Sequence, residues 1–321
     1  MIRPMIVRLV ALLGSLSPLL LHAQAPESLM VVEAYSGKIL VAANSSIKRP
    51  VSSLNQLATS IVAVDWATAT AADISQLVIT APPTVALVGG PNPMHLQPGD
   101  KLTLRDALYS TLLGSDNLAA LTIADHIGSQ ILAKRGKTGD PVAAFVVEMN
   151  RLAELVGMTN TKFVNPHGLE RPRANGYSCA ADVARLSIFT MRRNALNFIV
   201  RQKERQINVI GSSGKRGYLI HNPHELLGAE GLLGIKTGAS AAAGPCLTTC
   251  MDREPLVRVK PDGSKGATPR RLIVVLLNSP DRFSRTRSLL QQGWSIYDAW
   301  LKDGAPVTEA RREILAVPAP N

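Results

Sequence analysis

Aromatic side chains are scarce in this 321-residue chain, with five Phe, five Tyr and three Trp. Charged residues are also few, at 18 % against 46 % hydrophobic. The ample aliphatic content supplies a core and the low charge excludes a disordered polyelectrolyte, so an ordinary globular protein is expected. Cysteine is nearly missing, and Cys179, Cys246 and Cys250 cannot all pair with one another. Cys246 and Cys250 lie four apart in what reads as one strand, roughly 13 Å from each other on the same face. That distance is too great for a bridge between them, and no disulfide framework is expected. The six histidines are not clustered at ligand spacing, so neither a metal site nor a cofactor is expected. Beyond residue 21 no apolar run reaches the ~20 residues of a membrane span, and no internal repeat or linker to a second folded domain is visible.

Acidic residues are outnumbered, 24 against 35 Lys and Arg, for a formal net charge of +11 and a pI near 9.9. In a cytosolic protein that balance would point to nucleic acid. The N-terminus points elsewhere. Arg3 and Arg8 precede an apolar run from Leu9 to Leu21, and Ala23-Gln24-Ala25 has the small-x-small pattern of a cleavage site. Residues 1–25 therefore read as a signal peptide, with a retained anchor as the alternative because Pro26 would hinder cleavage there. The expectation is an exported protein, periplasmic or otherwise extracytoplasmic, that does not bind nucleic acid. Its basic surface suits peripheral contact with the membrane or cell wall, or simply solubility.

Leu29 to Ala34 and Lys38 to Ala43 read as a β-hairpin turned by Tyr35-Ser36-Gly37. From Leu54 to Trp66 the apolar positions follow helical spacing, with Ser53 where an N-cap would stand. Thr103 to Leu113, Asn117 to Gly128 and Pro141 to Val156 are further helical stretches. Gly231 to Ile235, Pro245 to Met251 and Arg271 to Asn278 return to strand character before an amphipathic helix from Ser284 to Leu301. Asp252 to Arg270, polar and basic with Pro and Gly, reads as a long surface loop, and Glu309 to Asn321 as a frayed tail. This order requires the first and last thirds to meet in one antiparallel sheet covered by helices, beside a mainly helical subdomain. The fold class is α+β. One domain is expected over 26–302, followed by a tail over 303–321.

Three strings could carry chemistry: Ser53-Leu54-Asn55-Gln56, Ser115-Asp116-Asn117 and Lys236-Thr237-Gly238. Ser-x-x-Lys, Ser-Asp-Asn and Lys-Thr-Gly together mark class A β-lactamases and penicillin-binding proteins, and each alone is weak. Lys137-Thr138-Gly139 duplicates the third but falls in a polar connection between helices, whereas Lys236-Thr237-Gly238 ends an apolar run and is placed on an exposed strand edge. Literal Ser-x-x-Lys strings at Ser45 to Lys48 and Ser212 to Lys215 lie in turn-like stretches with no helix to hold serine and lysine one turn apart. Ser53 opens the longest early helix, where backbone N–H groups converge on a reacting centre.

The run VVEAYSGKILVAANSSIKRPVSSLNQLATSIVA resembles the opening of the low-molecular-mass penicillin-binding proteins, the serine D-alanyl-D-alanine carboxypeptidases, where the nucleophile motif is Ser-Leu-Thr-Lys. LLGSDNLAA, FVNPHGLE, GLLGIKTGASAAAGPCLTTC and RLIVVLLNSPDRFSRTRSLLQQGW are similar to later segments of the same family. In order they cover nearly all of Leu29 to Trp300. The resemblance implies a β-lactamase/DD-peptidase-like fold, peptidoglycan stem peptides as substrates and β-lactams as covalent ligands. It also implies Ser53 as the acylated nucleophile, Ser115 and Asn117 lining the cleft and assisting proton transfer, and Lys236, with Thr237 and Gly238 in the substrate-binding set, holding the substrate carboxylate. His167 in Asn165-Pro166-His167-Gly168 reads as part of a structural turn.

The pattern breaks at Gln56, which stands where the family has its lysine base. A carboxamide cannot accept a proton near neutral pH. Ser-x-x-Gln before an apolar run is also a capping box, in which Ser53 and Gln56 would satisfy each other's backbone N–H groups. Ala239 and Ser240 depart too, from an aromatic or histidine and a threonine. The expected activity is a serine carboxypeptidase slowed by Gln56, with Ser115 or Lys236 moving the proton. The alternatives are a pseudoenzyme that binds stem peptides and a DD-endopeptidase, the latter suggested by the lack of a recognisable second C-terminal domain. A β-lactamase, which needs fast deacylation, ranks last.

Overall fold

The computed structural model describes residues 26–170, 175–229, 231–259 and 262–319. The expected signal peptide lies outside them. β1 (Ser28–Glu33) and β2 (Ile39–Ala43) form the hairpin read from the sequence. A 3₁₀ turn (Ser52–Asn55) then leads into α1 (Gln56–Ala69). The short strands β3 (Val78–Thr80) and β4 (Lys101–Thr103) frame a long loop before α2 (Leu104–Leu113), α3 (Asn117–Lys134) and α4 (Pro141–Val156). Next come α5 (Ala180–Met191) and α6 (Asn194–Val200), then the hairpin of β5 (Glu204–Gly211) and β6 (Gly214–His221). β7 (Leu232–Ser240), β8 (Gly244–Val259) and β9 (Lys265–Leu277) precede α7 (Arg282–Lys302) and the single turn α8 (Ala310–Glu313).

The main sheet runs β2-β1-β9-β8-β7, every recorded pairing antiparallel, so the chain ends do meet. Its side chains alternate between two cores with the period of two that a strand dictates. Met30, Val32, Ile273, Val275 and Leu277 face the large core shared with α1 to α6. Leu29, Val31, Leu272, Val274 and Leu276 face Leu289, Leu290, Trp294 and Tyr297 of α7. Each such burial is worth about 1.5–3 kcal/mol relative to exposure. Gly293 lets α7 lie close, since a Cβ there would stand 2.8 Å from Val31 Cγ1.

Three expectations are corrected. Asp252 to Arg270 is no loop: β8 and β9 stay paired through it as far as Val259 opposite Lys265. The backbone ladder between the two strands, with Val257, Val259 and Thr268 as its β-branched residues, holds the segment despite its low hydrophobicity. Residues 309–319 are not frayed, because Ile314 bridges Lys38, Leu315 is buried in the main core, and Arg192 donates to the carbonyls of Val317 and Pro318. The helical subdomain also holds a second sheet, β3-β4-β5-β6, that the sequence reading did not anticipate. The duplicate Ser212 to Lys215 string is the turn into β6, and Lys137-Thr138-Gly139 is exposed between α3 and α4. Among the described residues no helix is long and apolar enough to cross a membrane.

Candidate active site

Arg49 sets the approach to the cleft. Its guanidinium donates to the carbonyls of Pro26 and Leu277 and to Ser28 Oγ, tying the chain before Ser53 to the middle of the sheet. Ser53 lies inside the 3₁₀ turn rather than at the N-cap of α1, whose cap position is Asn55 with no side-chain cap bond. The expected capping box does not form. Gln56 is fully buried and turns into the cleft instead. Its Nε2 donates to the carbonyl of Ser115 (3.2 Å), Asn117 Oδ1 (3.2 Å) and the carbonyl of His167 (3.4 Å). Its Oε1 is buried without a partner.

Ser115-Asp116-Asn117 forms the opposite wall. Asp116 caps α3, accepting from the N–H groups of Leu118 and Ala119 and from Ser110 Oγ. Burial raises its carboxyl to about 6 despite those bonds. Ser115, next to the cap, has φ +54°, a region that non-glycine residues enter only at a cost. Asn117 is held from two sides, accepting from Gln56 and donating to the Gly89 carbonyl at 3.0 Å. Gly90, at φ +88°, passes so close that any Cβ would collide with Asn117 Nδ2.

β7 closes the third side. Lys236 is not displayed on an exposed edge as expected from the sequence. It is 1 % exposed, with Nζ donating to Ser115 Oγ and to the Thr237 carbonyl. Burial first, and the neighbouring Arg282 second, pull it down to about 7. Gly238 brings the strand against the nucleophile, since a Cβ there would stand 3.1 Å from Ser53 N. Ser52 Oγ donates to the Ala239 carbonyl at 3.1 Å, fixing the same juxtaposition. Ser53, Gln56, Ser115, Asn117, Lys236, Thr237 and Gly238 are thus brought together: Gln56 and Lys236 both bond Ser115, and Gly238 packs against Ser53 N. The Ser53 hydroxyl itself has no hydrogen bond among the described residues.

His167 is part of a turn, as expected: its Nδ1 accepts from Leu169 N and its carbonyl from Gln56. Two further residues were missed. Arg282, in the first turn of α7, donates to the carbonyls of Gly238 and Cys246 at 2.8 and 3.1 Å. A cation where the helix dipole disfavours it was the available clue. Glu170 accepts from Ser240 Oγ at 2.5 Å, linking the end of β7 to the turn that carries His167. Nothing local in the sequence marks that contact. The three cysteines are buried, and burial raises each thiol, which keeps them protonated and unreactive.

A family model described as D-alanyl-D-alanine carboxypeptidase matches residues 18–259. The chain is 26 % identical to D-alanyl-D-alanine carboxypeptidase DacC of Escherichia coli (strain K12), over 84 % of this chain and 61 % of that one. It is 26 % identical to a D-alanyl-D-alanine endopeptidase of Pseudomonas aeruginosa over 72 % of this chain and 69 % of that one. Its fold superposes on the Streptomyces K15 DD-transpeptidase with a TM-score of 0.69 at 23 % identity, covering 83 % of this chain and 96 % of that one. The chain spans 54 % to 61 % of the length of the first three curated carboxypeptidases it matches.

Proposed function

The chain belongs to the D-alanyl-D-alanine carboxypeptidase family, and from that premise we propose that it is a serine-type peptidase cleaving peptidoglycan stem peptides through a Ser53 acyl-enzyme, slowed by Gln56. The observation that carries the reading is the pairing of a buried Lys236, lowered to about 7, with Ser115 Oγ, on the strand that Gly238 brings against Ser53 N. A lysine with that value is substantially neutral near neutral pH and can accept a proton, which Gln56 cannot.

In this scheme the Ser53 hydroxyl attacks the carbonyl of the penultimate D-alanine while its proton passes to Ser115 Oγ and the Ser115 proton passes to neutral Lys236. The tetrahedral oxyanion is met by the Ser53 N–H and the β7 backbone. As the C–N bond breaks, the proton returns along the same chain to the departing D-alanine amine, leaving an ester on Ser53. Water then hydrolyses that ester by the same relay. Arg282 keeps the β7 end of the cleft positive while Lys236 is neutral, which suits the terminal carboxylate of the substrate. Lys236 serves Ser53 through Ser115 and does not restore a base adjacent to the nucleophile, so turnover is slow. The proton-transfer deficit is about 10²- to 10⁴-fold.

The Ser53 hydroxyl without a partner and the carboxamide in the lysine's place favour a second reading, a protein that binds stem peptides without turnover. An endopeptidase activity would use the same cleft. We assign export and an extracytoplasmic setting on the basis of residues 1–25, checked by sequencing the N-terminus of the protein recovered from an envelope fraction.

Intact-mass analysis with a penicillin tests the main reading. A penicilloyl adduct on the parent that is lost in Ser53→Ala supports the acyl-enzyme, and its loss in Lys236→Ala supports the relay. No adduct on the parent, with stem-peptide binding retained, supports the second reading.

A further inference from the structure

Past Met251, β8 and β9 leave the sheet. The pairing of β7 ends with Leu232 opposite Met251 and that of β1 with Glu33 opposite Leu272, yet β8 and β9 remain paired to Val259 and Lys265. The projecting ribbon is roughly 20 Å long at about 3.3 Å per residue. It is anchored at its base by Arg253, which bonds Asp298 at 3.0 Å and stacks on Trp294, and by Arg271 on Asp252. Farther out, Leu256, Val257 and Val259 belong to neither hydrophobic core. Val257 is 59 % and Val259 68 % exposed.

A two-stranded ribbon alone in water is marginally stable, and exposed apolar side chains on it call for a covering surface. The register puts Val257 opposite Ala267 and Val259 opposite Lys265 on one face, with Arg258 opposite Gly266 on the other. Arg258 and Lys265 have no ion pair among the described residues. The acid in the turn, Asp262, accepts from Ser264 N and Oγ. Pro255 in β8 and Pro269 in β9 each remove a backbone donor, which makes the ribbon a poor template for a third strand from a peptide or a second copy. With Val257, Val259 and Lys265 on one face and Arg258 on the other, a ribbon that enters tip first presents apolar side chains and cations together, which on a chain of net charge +11 is complementary to an anionic bilayer, where lipid phosphates and an apolar layer lie side by side.

We propose that the β8–β9 ribbon docks the protein on an anionic lipid surface, with Val257, Val259 and Ala267 entering the headgroup boundary and Arg258 and Lys265 meeting phosphates. The ribbon leads away from the cleft: Lys236 pairs with Thr248, before the ribbon begins at Asp252. The proposal is therefore independent of the peptidase reading.

Vesicle flotation of the purified full chain tests it, with vesicles of equal parts phosphatidylglycerol and phosphatidylcholine beside vesicles of phosphatidylcholine alone. The ratio of the two affinities is read, which cancels any uncharged contribution of the apolar N-terminal run. For Arg258→Gln with Lys265→Gln the ratio is expected to fall about 25-fold, from about five-fold per cation. Val257→Ser with Val259→Ser should weaken binding to the anionic vesicles, and raised salt should weaken it in the parent. Unaltered thermal unfolding shows that the variants remain folded. A ratio unchanged in the Arg258/Lys265 variant overturns the proposal. So does ribbon-dependent binding to purified wall sacculi with none to vesicles, or a dimer by light scattering that the valine substitutions dissolve.

Discussion

If the proposed acyl-enzyme reading holds, replacing Gln56 by lysine should speed acylation of Ser53. Around Gln56 Nε2 stand three acceptors, at 3.2, 3.2 and 3.4 Å, for two N–H protons, while Oε1 has none. An ammonium carries three donors and no acceptor, so it fits that surrounding better than the carboxamide does. Removing the orphaned carbonyl recovers about 1–3 kcal/mol, which offsets part of the cost of placing a charge there. The introduced amine would lie one helical turn from Ser53 and near a second buried amine, that of Lys236, so the pair titrates together and one member stays neutral near pH 7. A neutral amine adjacent to the serine is a general base, worth about 10²- to 10⁴-fold, or about 3–5 kcal/mol of barrier. The assay is the second-order rate of labelling by a fluorescent penicillin, with thermal unfolding run alongside. A Gln56→Lys protein that unfolds at the parent's temperature and acylates no faster would refute the reasoning, because it would show that the missing base is not what limits Ser53.

The acylation rate of the parent should rise with pH through about 7, the value to which burial lowers Lys236. Lys236→Arg, which stays charged, should abolish that limb. The same group makes stability pH-dependent: between about 7 and the ordinary value of 10.5 the unfolded chain binds the extra proton, so the melting temperature should climb across that interval. Gly90→Ala, strained at φ +88° and driven into Asn117 Nδ2, should slow acylation at least about ten-fold through displacement of Asn117, for a loss of about 1.4 kcal/mol or more. Unchanged labelling in a folded Gly90→Ala protein would count against Asn117 as a positioned group. Leu315→Ala, in the C-terminal segment buried against the main core, should cost about 2–5 kcal/mol in urea unfolding, whereas a loosely attached segment would lose almost nothing.

Elements with strong local punctuation were legible. α4 runs from Pro141 to Val156 as read, because Asp140 caps it, Pro141 sits at the first helical position and Gly157 ends it in the left-handed region. β1 and β2 announced themselves by two apolar runs around Ser36-Gly37. Two elements lacked such marks. α5 starts at a Cys179 cap with no side-chain bond. β5 hides two buried residues, Ile207 and Val209, among charged and polar neighbours, and its alternation went unread beside the Gly211 to Gly214 turn.

By itself the sequence determined the α+β order, the choice of Ser53, Ser115, Asn117 and Lys236 as candidates, and the absence of a lysine at position 56. Those follow from residue type and spacing along one segment at a time. Where each side chain points was decided only in three dimensions. Gln56 could have capped its own helix, and it turns inward because Ser115, Asn117 and His167 come from distant segments to offer it three oxygens. Lys236 could have stood exposed on an edge strand, and the packing of β7 against the Ser53 turn and Arg282 buries it instead, lowering its proton affinity. Proton affinity depends on the solvent and charges around a group, and those are set by the whole fold.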